Sequence, residues 1–240
     1  MNTRFSWMTI VLFAALLLTG CASEVRVGEL QTETQSVELG DAESVRVEIE
    51  MGAGDLEVTG GAEKLLEADF TYNVARLKPQ VDYSDGTLVV QHPDANGLRL
   101  PDLQDLTGFR NEWSLRLNND VPMDVSVDMG AGISDLQLAD LSLTSLDVSL
   151  GAGNSTIDLS GGWASDLDAT IDAGAGDITV RLPSEIGVRV EVEAGLGTID
   201  APGLKQDGDI YTNSAYGVSD VTLHVHIEAG IGRINLEVEE

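Results

Sequence analysis

Six copies of the triplet Gly-x-Gly, each set between short runs of alternating apolar residues, divide this chain into repeating units. Their first glycines lie at positions 52, 130, 151, 174, 195 and 230, so three of the five intervals are 21 or 23 residues. A period of ~20 residues is typical of coils that bury their apolar face against a neighbour. We therefore predict an all-β chain, a single-stranded β-solenoid (β-helix-like) of short strands with Gly-x-Gly corners. An antiparallel β-sandwich or meander is the alternative, because hairpins need no constant interval.

The glycines mark the corners of these units. Apolar residues alternate before each triplet, as at Val47, Ile49 and Met51, and resume two or four residues after its second glycine, as at Leu56 and Leu136. Because alternate side chains of a strand share a face, we expect these even offsets to keep the apolar residues on one face. Glycine suits such a corner because it tolerates a positive φ and lets another backbone come close.

The N-terminus carries a targeting signal. The apolar run from Met8 to Leu18 is shorter than the ~20 residues that cross a bilayer, and it suits a signal peptide. We therefore predict a lipoprotein signal peptide, with a signal helix, at 1–20. The tetrad LTGC at 18–21 resembles the bacterial lipobox, in which signal peptidase II cuts before a cysteine that becomes acylated. That resemblance implies lipidation of Cys21, the only cysteine of the chain, and two or three acyl chains give a stable anchor.

We expect the mature protein to be secreted and then held to a membrane by its lipid. Ala22, not aspartate, follows the cysteine. By resemblance to the sorting rule of two-membrane bacteria, this implies the outer membrane and its periplasmic face. In a host with one membrane, the same anchor implies the outer face of the cytoplasmic membrane.

A strongly acidic composition limits the partners. The chain has 41 acidic and 13 basic side chains and a net charge of -28. Such a surface repels phosphate groups, so we expect no nucleic acid among the partners. It attracts cations and basic partners, although a solvated coat that keeps a secreted protein soluble explains the same charge. The expected partners are the membrane, through acylated Cys21, and an envelope protein or glycan.

Changes in composition divide the mature chain. We predict a polar tether at 21–42, an N-terminal β subdomain at 43–118 and β-solenoid coils at 119–240. The long interval before the last triplet places an insertion at 201–217, where Pro, Gly and Asn punctuate the sequence. Trp113 stands at an apolar position of its strand pattern, so we expect it in the core.

The segment from about Val37 to Pro93, with its GAGDLEV turn and downstream EADFTYN strand, together with the later DVSVDMGAG, resembles the bacterial toast-rack proteins. The resemblance covers most of the mature chain and implies a toast-rack-like N-terminal domain followed by Gly-Ala-Gly coils. Some members of this adhesin-like envelope family belong to cell-wall-active-antibiotic response systems, where they sense or modulate stress beside membrane partners. Those relatives often carry transmembrane helices, whereas this chain has a lipobox. The resemblance implies no catalytic residues.

Two pairs of residues are weak metal candidates. Asp55 and Asp177 directly follow glycine corners. Calcium β-rolls repeat every ~9 residues, so the longer period here favours solvated turn aspartates over calcium ligands. His224 and His226 share one face of a strand and could bridge a metal, but no third ligand is near in sequence, which favours an exposed pair of surface histidines.

Binding is expected where the repeat is interrupted. Tyr211 and Tyr216 lie in the insertion and are the candidate binding residues. We assign no catalytic residues, no cofactor and no enzymatic activity, because spacing reveals neither a Ser/His/Asp set nor a carboxylate pair. We therefore expect a non-enzymatic, lipid-anchored envelope protein acting as a scaffold, adhesin or stress-sensing interaction module. The alternative is a cation- or glycan-binding β-helix module with a carbohydrate-active function.

Overall fold

The computed structural model describes residues 27–92 and 107–239. Thirteen strands of these residues join in one sheet, which confirms the predicted all-β architecture. A short 3-10 helix lies at Ala75–Leu77, and none of the described residues forms a helix long and apolar enough to cross a membrane. The strands are β1 (Gln31–Val37), β2 (Val45–Thr59), β3 (Leu66–Tyr72), β4 (Gln80–Ser84), β5 (Thr87–Gln91), β6 (Asn111–Leu117), β7 (Met123–Gln137), β8 (Leu143–Asp158), β9 (Leu167–Pro183), β10 (Gly187–Asp200), β11 (Lys205–Asp207), β12 (Ile210–Thr212) and β13 (Thr222–Glu239).

Six long strands form a parallel stack in the order β2, β7, β8, β9, β13, β10. Their register sets triplet against triplet, so that Gly54 lies opposite Gly132, and Gly132 opposite Gly153. This parallel register confirms the predicted solenoid, because a meander would pair its strands antiparallel. The stack departs from chain order at one point, since β13 lies between β9 and β10.

Stacking explains the glycines at the corners. A Cβ built on Gly153 would lie 1.8 Å from the carbonyl oxygen of Gly132, and one on Gly176 would lie 1.6 Å from that of Gly153. Non-bonded heavy atoms come no closer than ~3 Å without strong repulsion. Gly153 also has a φ of +139°, a conformation that residues with a side chain rarely adopt. Any side chain here would push neighbouring strands of the stack apart.

The buried positions change parity at each corner. In β2, Ile49 and Met51 are buried before the corner and Leu56 and Val58 after it, an offset of five residues from Met51 to Leu56. The expectation that even offsets keep the apolar residues on one face is therefore wrong. The second glycine, Gly54, has a φ of +144° and rotates the chain, so that the strand folds over and both parts line one core. We call the part before each triplet the first arm and the part after it the second arm.

Other strands cover the N-terminal end of the stack. The first arm of β2 pairs in parallel with β5, and its second arm pairs in parallel with β6. From β6 the sheet continues antiparallel through β3 to β1. Trp113 of β6 is only 1% exposed and packs edge-on against Phe70, with 5.4 Å between the ring centroids. The predicted core position of Trp113 is therefore confirmed.

Part of the segment expected as a tether at 21–42 is a strand. Gln31–Val37 form β1, which pairs with β3 along its whole length. The sequence QTETQSV is polar because β1 is an edge strand whose side chains stay exposed or half-buried. Side chains secure it: the Thr34 hydroxyl donates to Asp69 at 2.6 Å and the Tyr72 hydroxyl donates to Glu33 at 2.7 Å. The remaining domain boundaries stay predictions, and the signal peptide 1–20 and Cys21 lie outside the described residues.

β10 forms the other end of the stack. The insertion 201–217 contains the hairpin β11–β12, and β12 pairs with β10 only at Arg189–Glu191. Next to this contact the Val192 N–H donates to the Asp209 carbonyl at 2.9 Å. From Glu193 to Asp200, no described strand pairs with the outer side of β10. We call 193–200 of β10 the open edge.

Candidate functional site

Outward side chains of the first arms stack into columns. Because the strands are parallel and in register, equivalent residues lie side by side, about 4.8 Å apart from strand to strand. The column two residues before the first glycine is acidic at five of its six positions, and every member is exposed. In stack order these residues are Glu50, Asp128, Ser149, Asp172, Glu228 and Glu193.

A groove of about 1140 Å³ follows this column across five strands, from β7 to β10. The first glycine of the triplet on each of these five strands lines it, as do small residues such as Ala173, Ala194 and Ala229. Asp209, in the turn between β11 and β12, adds another carboxylate at the β10 end. We call this surface the carboxylate groove, defined by Asp128, Ser149, Asp172, Glu193, Asp209 and Glu228.

The carboxylate groove concentrates negative charge. Asp172, Glu228 and Glu193 stand on three consecutive strands of the stack. Like charges placed side by side on a sheet repel each other and reduce stability. Among the described residues, the side-chain contact that these carboxylates form is that of Glu228 Oε1 with His226 Nε2, at 3.3 Å. Positive charge from a partner would relieve the remaining repulsion.

The geometry of the groove suits an extended cation better than a single metal ion. Calcium takes six to eight oxygen ligands at about 2.3–2.6 Å, whereas the column spreads its carboxylates along a line. In the described ranges 27–92 and 107–239, no group of three His, Cys, Asp or Glu side chains is placed to hold a metal ion. A partner with several positive charges along its length fits this arrangement.

Asp55 lies in a second acidic depression, of about 450 Å³, on the second arm near the N-terminal end of the stack. Trp113 and Leu56 lie beneath it. Several of its acids are engaged: the Ser114 hydroxyl donates to Glu57 at 2.9 Å and the Thr34 hydroxyl donates to Asp69 at 2.6 Å. Asp55 as a metal ligand stays a prediction. The carboxylates of the depression are Asp55, Glu57, Asp69, Glu112 and Asp135.

Asp177 bridges neighbouring strands. Its Oδ1 accepts the backbone N–H of Arg233 on β13 at 3.2 Å, and its own N–H donates to Asn154 Oδ1 on β8 at 3.3 Å. Short polar side chains just after the corner can therefore satisfy backbone groups of the next strand. This role explains Asp177 without calcium, and its metal assignment stays a prediction.

His224 and His226 both point away from the core. They alternate along β13 with Leu223 and Val225, which are buried. His226 contacts Glu228, two residues further along the strand. No cluster of three metal-ligating side chains includes either histidine within the described part of the chain. The pair as a metal site stays a prediction.

The two tyrosines of the insertion differ in exposure. Tyr211, on β12 opposite Val190, is only 6% exposed and belongs to the core cluster. Burial, with the Asp209 carboxylate nearby, raises the pKa of Tyr211. Tyr216 is 41% exposed, and its backbone N–H donates to Asn213 Oδ1 at 3.0 Å. Tyr216 is therefore the member of the pair that offers a ring to a partner.

Sequence reasoning missed a buried polar pair. His92 is only 6% exposed, and its ring centroid lies 4.5 Å from that of Trp113. Its Nε2 lies 3.3 Å from Asn111 Nδ2, and Asn111 also donates to the Ala53 carbonyl at 2.6 Å. Burial lowers the pKa of His92 to about 4. Asn111 lies against Gly54, at the β2 end of the column of corner glycines. Nothing in the spacing of His92 and Asn111 along the sequence indicates that they contact each other.

Asn213 was also missed. Its Oδ1 accepts the Val188 N–H at 3.0 Å, and its Nδ2 donates to the carbonyl of Ile186 at 2.7 Å. These bonds tie the end of the insertion to the start of β10. The signal that could have revealed it is an asparagine following a short strand, a residue that often bonds to nearby backbone groups.

One family and several solved structures are similar to this chain. The family described as the N-terminal domain of toast_rack, DUF2154, matches residues 26–181. A candidate cell adhesion protein of Clostridium sporogenes has a solved structure that is 32% identical, with a TM-score of 0.80 over 88% of this chain and 100% of that one. A candidate adhesin of Bacteroides fragilis is 13% identical, with a TM-score of 0.28 over 87% of this chain and 97% of that one. None of the curated proteins matches the chain.

Proposed function

Because this chain belongs to the toast-rack family, we propose that it is a non-enzymatic, lipid-anchored envelope protein that uses its rigid acidic stack for adhesion. The observation that carries the proposal is the carboxylate groove, in which exposed acids stand in register on four of its five strands and a fifth acid lies in the β11–β12 turn. Such a column costs stability through like-charge repulsion. A role in contact with a positively charged partner explains why this arrangement is built into the fold.

The stack is a suitable frame for adhesion. Interlocked corner glycines leave no room between its strands, so the outward columns hold fixed spacing. A rigid surface loses little conformational entropy when it binds, which favours affinity. The Clostridium sporogenes relative, a candidate cell adhesion protein that this chain covers completely, supports the same role.

Anchoring at Cys21 completes the proposal. An adhesin acts only while it is attached to the cell, and the lipobox-like tetrad supplies that attachment. The folded stack would then stand outside the cytoplasm with its acidic columns facing solvent. Repulsion between this surface and anionic headgroups would keep the stack off the membrane to which it is tied.

Complementation of cells that lack the protein tests adhesion and anchoring together. Wild-type protein should restore retention of the cells, under flow, on a surface coated with a positively charged partner. Cys21→Ser should release the protein into the medium and fail to restore retention, whereas the neighbouring Ser23→Ala should behave as wild type. Retention that does not depend on the protein would refute adhesion, and Cys21→Ser protein that stays in the membrane fraction would refute lipid anchoring.

A further inference from the structure

The open edge of β10 is an unfinished part of the sheet. Every other strand of the stack has a strand on both sides of its corner or, in β2, a cap formed by β5 and β6. The hairpin β11–β12 covers β10 only up to Val192. Beyond it, the open edge pairs with β13 on one side, and no described residue pairs with it on the other. Its outward backbone groups are therefore available to another strand.

The corner of β10 carries the same docking geometry as the corners inside the stack. A Cβ on Gly195 would lie 2.5 Å from the Gly230 carbonyl oxygen, and one on Gly197 would lie 1.7 Å from that of Gly232. Each of these glycine carbonyls thus points toward the next strand in the order of the stack, from β13 to β10. By the same repeat, the carbonyls of Gly195 and Gly197 point away from β13, toward solvent. A strand that continues the stack must therefore carry glycine at both positions.

The residue between the two glycines changes character at this end. It is alanine at positions 53, 131, 152 and 175, but Ile231 on β13 and Leu196 on β10. These two residues lie side by side and are 60% and 70% exposed. Large apolar side chains beside an unpaired edge indicate a contact surface. Nothing in the described part of the stack covers them.

Charge selects the kind of strand that binds. Glu193 and Asp200 stand at the two ends of the open edge, and Asp209 and Glu228 lie nearby in the carboxylate groove. Two copies of this chain paired antiparallel about the edge would set Glu193 opposite Asp200 of the second copy. Like charges in opposed positions are destabilising, which disfavours a second copy. A strand with basic residues gains attraction at both ends.

We propose that the open edge binds an extended, basic polypeptide segment as a further parallel strand, with a Gly-x-Gly of that segment at the corner. This inference rests on the proposed function and deepens it by naming the partner class and the place of contact. Backbone hydrogen bonds along 193–200 would supply affinity, and Leu196 with Ile231 would supply an apolar contact, as in other cases of strand addition.

A peptide that copies β13 provides the probe, because β13 docks in parallel on the strand before it, β9, with Gly230 and Gly232 against the carbonyls of that strand, as the proposal requires of a strand on β10. The probe is a fluorescent peptide with the sequence of 222–236 in which Glu228 is replaced by lysine. The matched control peptide also replaces Gly230 and Gly232 with alanine. Fluorescence anisotropy is measured with a chain that begins at residue 22, which keeps every described residue. We expect saturable binding of the glycine peptide and about tenfold weaker binding of the alanine peptide, since its side chains meet the carbonyls of β10.

Protein variants and amide exchange locate the contact. Leu196→Lys should weaken binding of the basic peptide by about tenfold, because it removes an apolar contact and adds like charge. Ile133→Lys should not, although Ile133 is similarly exposed at 57%. The peptide should slow hydrogen exchange at 193–200 of wild-type protein, and circular dichroism should show that both variants are folded.

Equal binding of the two peptides, or protection outside the open edge, would overturn the strand-addition proposal. Dimerisation in sedimentation that Leu196→Lys abolishes would instead assign the edge to a second copy and also overturn it. Because the peptide assay involves neither cells nor lipid, it can fail while adhesion and anchoring hold. Conversely, loss of the adhesion role would leave a positive peptide result standing as a property of the fold.

Discussion

Gly52 and Gly151 occupy the same position in their triplets, yet only one of them should tolerate alanine. A Cβ on Gly52 meets nothing within 4 Å, whereas one on Gly151 would lie 2.2 Å from the carbonyl oxygen of Gly130. Neither glycine has a positive φ, so backbone strain does not separate them. The pair therefore isolates the steric effect of the adjacent strand.

The magnitude follows from that overlap. Close carbon–oxygen contacts between strands are about 3.3–3.6 Å, so Gly151→Ala forces neighbouring backbones to move apart by about 1 Å. Overpacking of a closely packed site costs about 1–3 kcal/mol, and we expect the upper half of that range because the stack fixes Gly130 on its other side. Gly52→Ala should be neutral or stabilise by up to about 1 kcal/mol, since it only restricts the unfolded chain.

Thermal unfolding followed by circular dichroism measures the difference. A chain of this size loses about 2–4 °C of melting temperature per kcal/mol, so Gly151→Ala should lower it by about 4–12 °C. Gly52→Ala should melt at or slightly above wild type. Equal losses in the two variants, or a greater loss for Gly52→Ala, would refute the stacking explanation of the corner glycines.

Three further outcomes can be measured. Because burial lowers the pKa of His92 from 6.5 to about 4, the unfolded chain binds its proton more readily, so stability should fall as pH drops through that range. In urea unfolding, the free energy of unfolding of His92→Phe should depend less on pH between about 6.5 and 4. A pH dependence equal to that of wild type would contradict the role of His92. Asn213→Ala should lower the free energy of unfolding by about 1–3 kcal/mol for each buried group left unsatisfied, whereas Ser214→Ala, at an exposed position, should not. Equal free energies of unfolding for the two variants would contradict the claim that Asn213 holds the insertion to β10. Calorimetry with Ca²⁺ should give only dilution heat, and a saturable signal abolished by Asp177→Asn would show that a metal site exists.

Periodicity in the sequence predicted the stack but not its order. The near-constant intervals indicate coils of one size, and parallel pairing of the triplets confirmed them. Those intervals carry no information on which coil lies beside which, so the position of β13 between β9 and β10 could not be foreseen. Parity at the corner was misjudged because offsets counted from the second glycine ignore the turn that the chain makes at the triplet.

Tertiary contacts hid the remaining features. The sequence of β1 resembles that of a polar tether, because an exposed edge strand needs no apolar residues. Tyr211 reads as a surface residue of an insertion, yet docking of β12 on β10 buries it. The carboxylate groove had a visible signal, since the residue two places before the first glycine is acidic in five of six units. Only the in-register stacking gives that signal a meaning, because it turns scattered acids into one column.

Neutralising the carboxylate groove is the most direct test of the proposed adhesion. The groove variant carries Asp128→Asn, Asp172→Asn, Glu193→Gln and Glu228→Gln. The control variant removes the same charge from exposed acids elsewhere, through Glu43→Gln, Glu63→Gln, Asp85→Asn and Asp220→Asn.

Both variants are displayed on cells that lack the protein, and retention on the surface coated with a positively charged partner is measured under flow. We predict that the groove variant loses retention by at least about tenfold, with equal surface amounts and folding, while the control retains it. Equal retention of the two variants would contradict the claim that this protein adheres through the carboxylate groove.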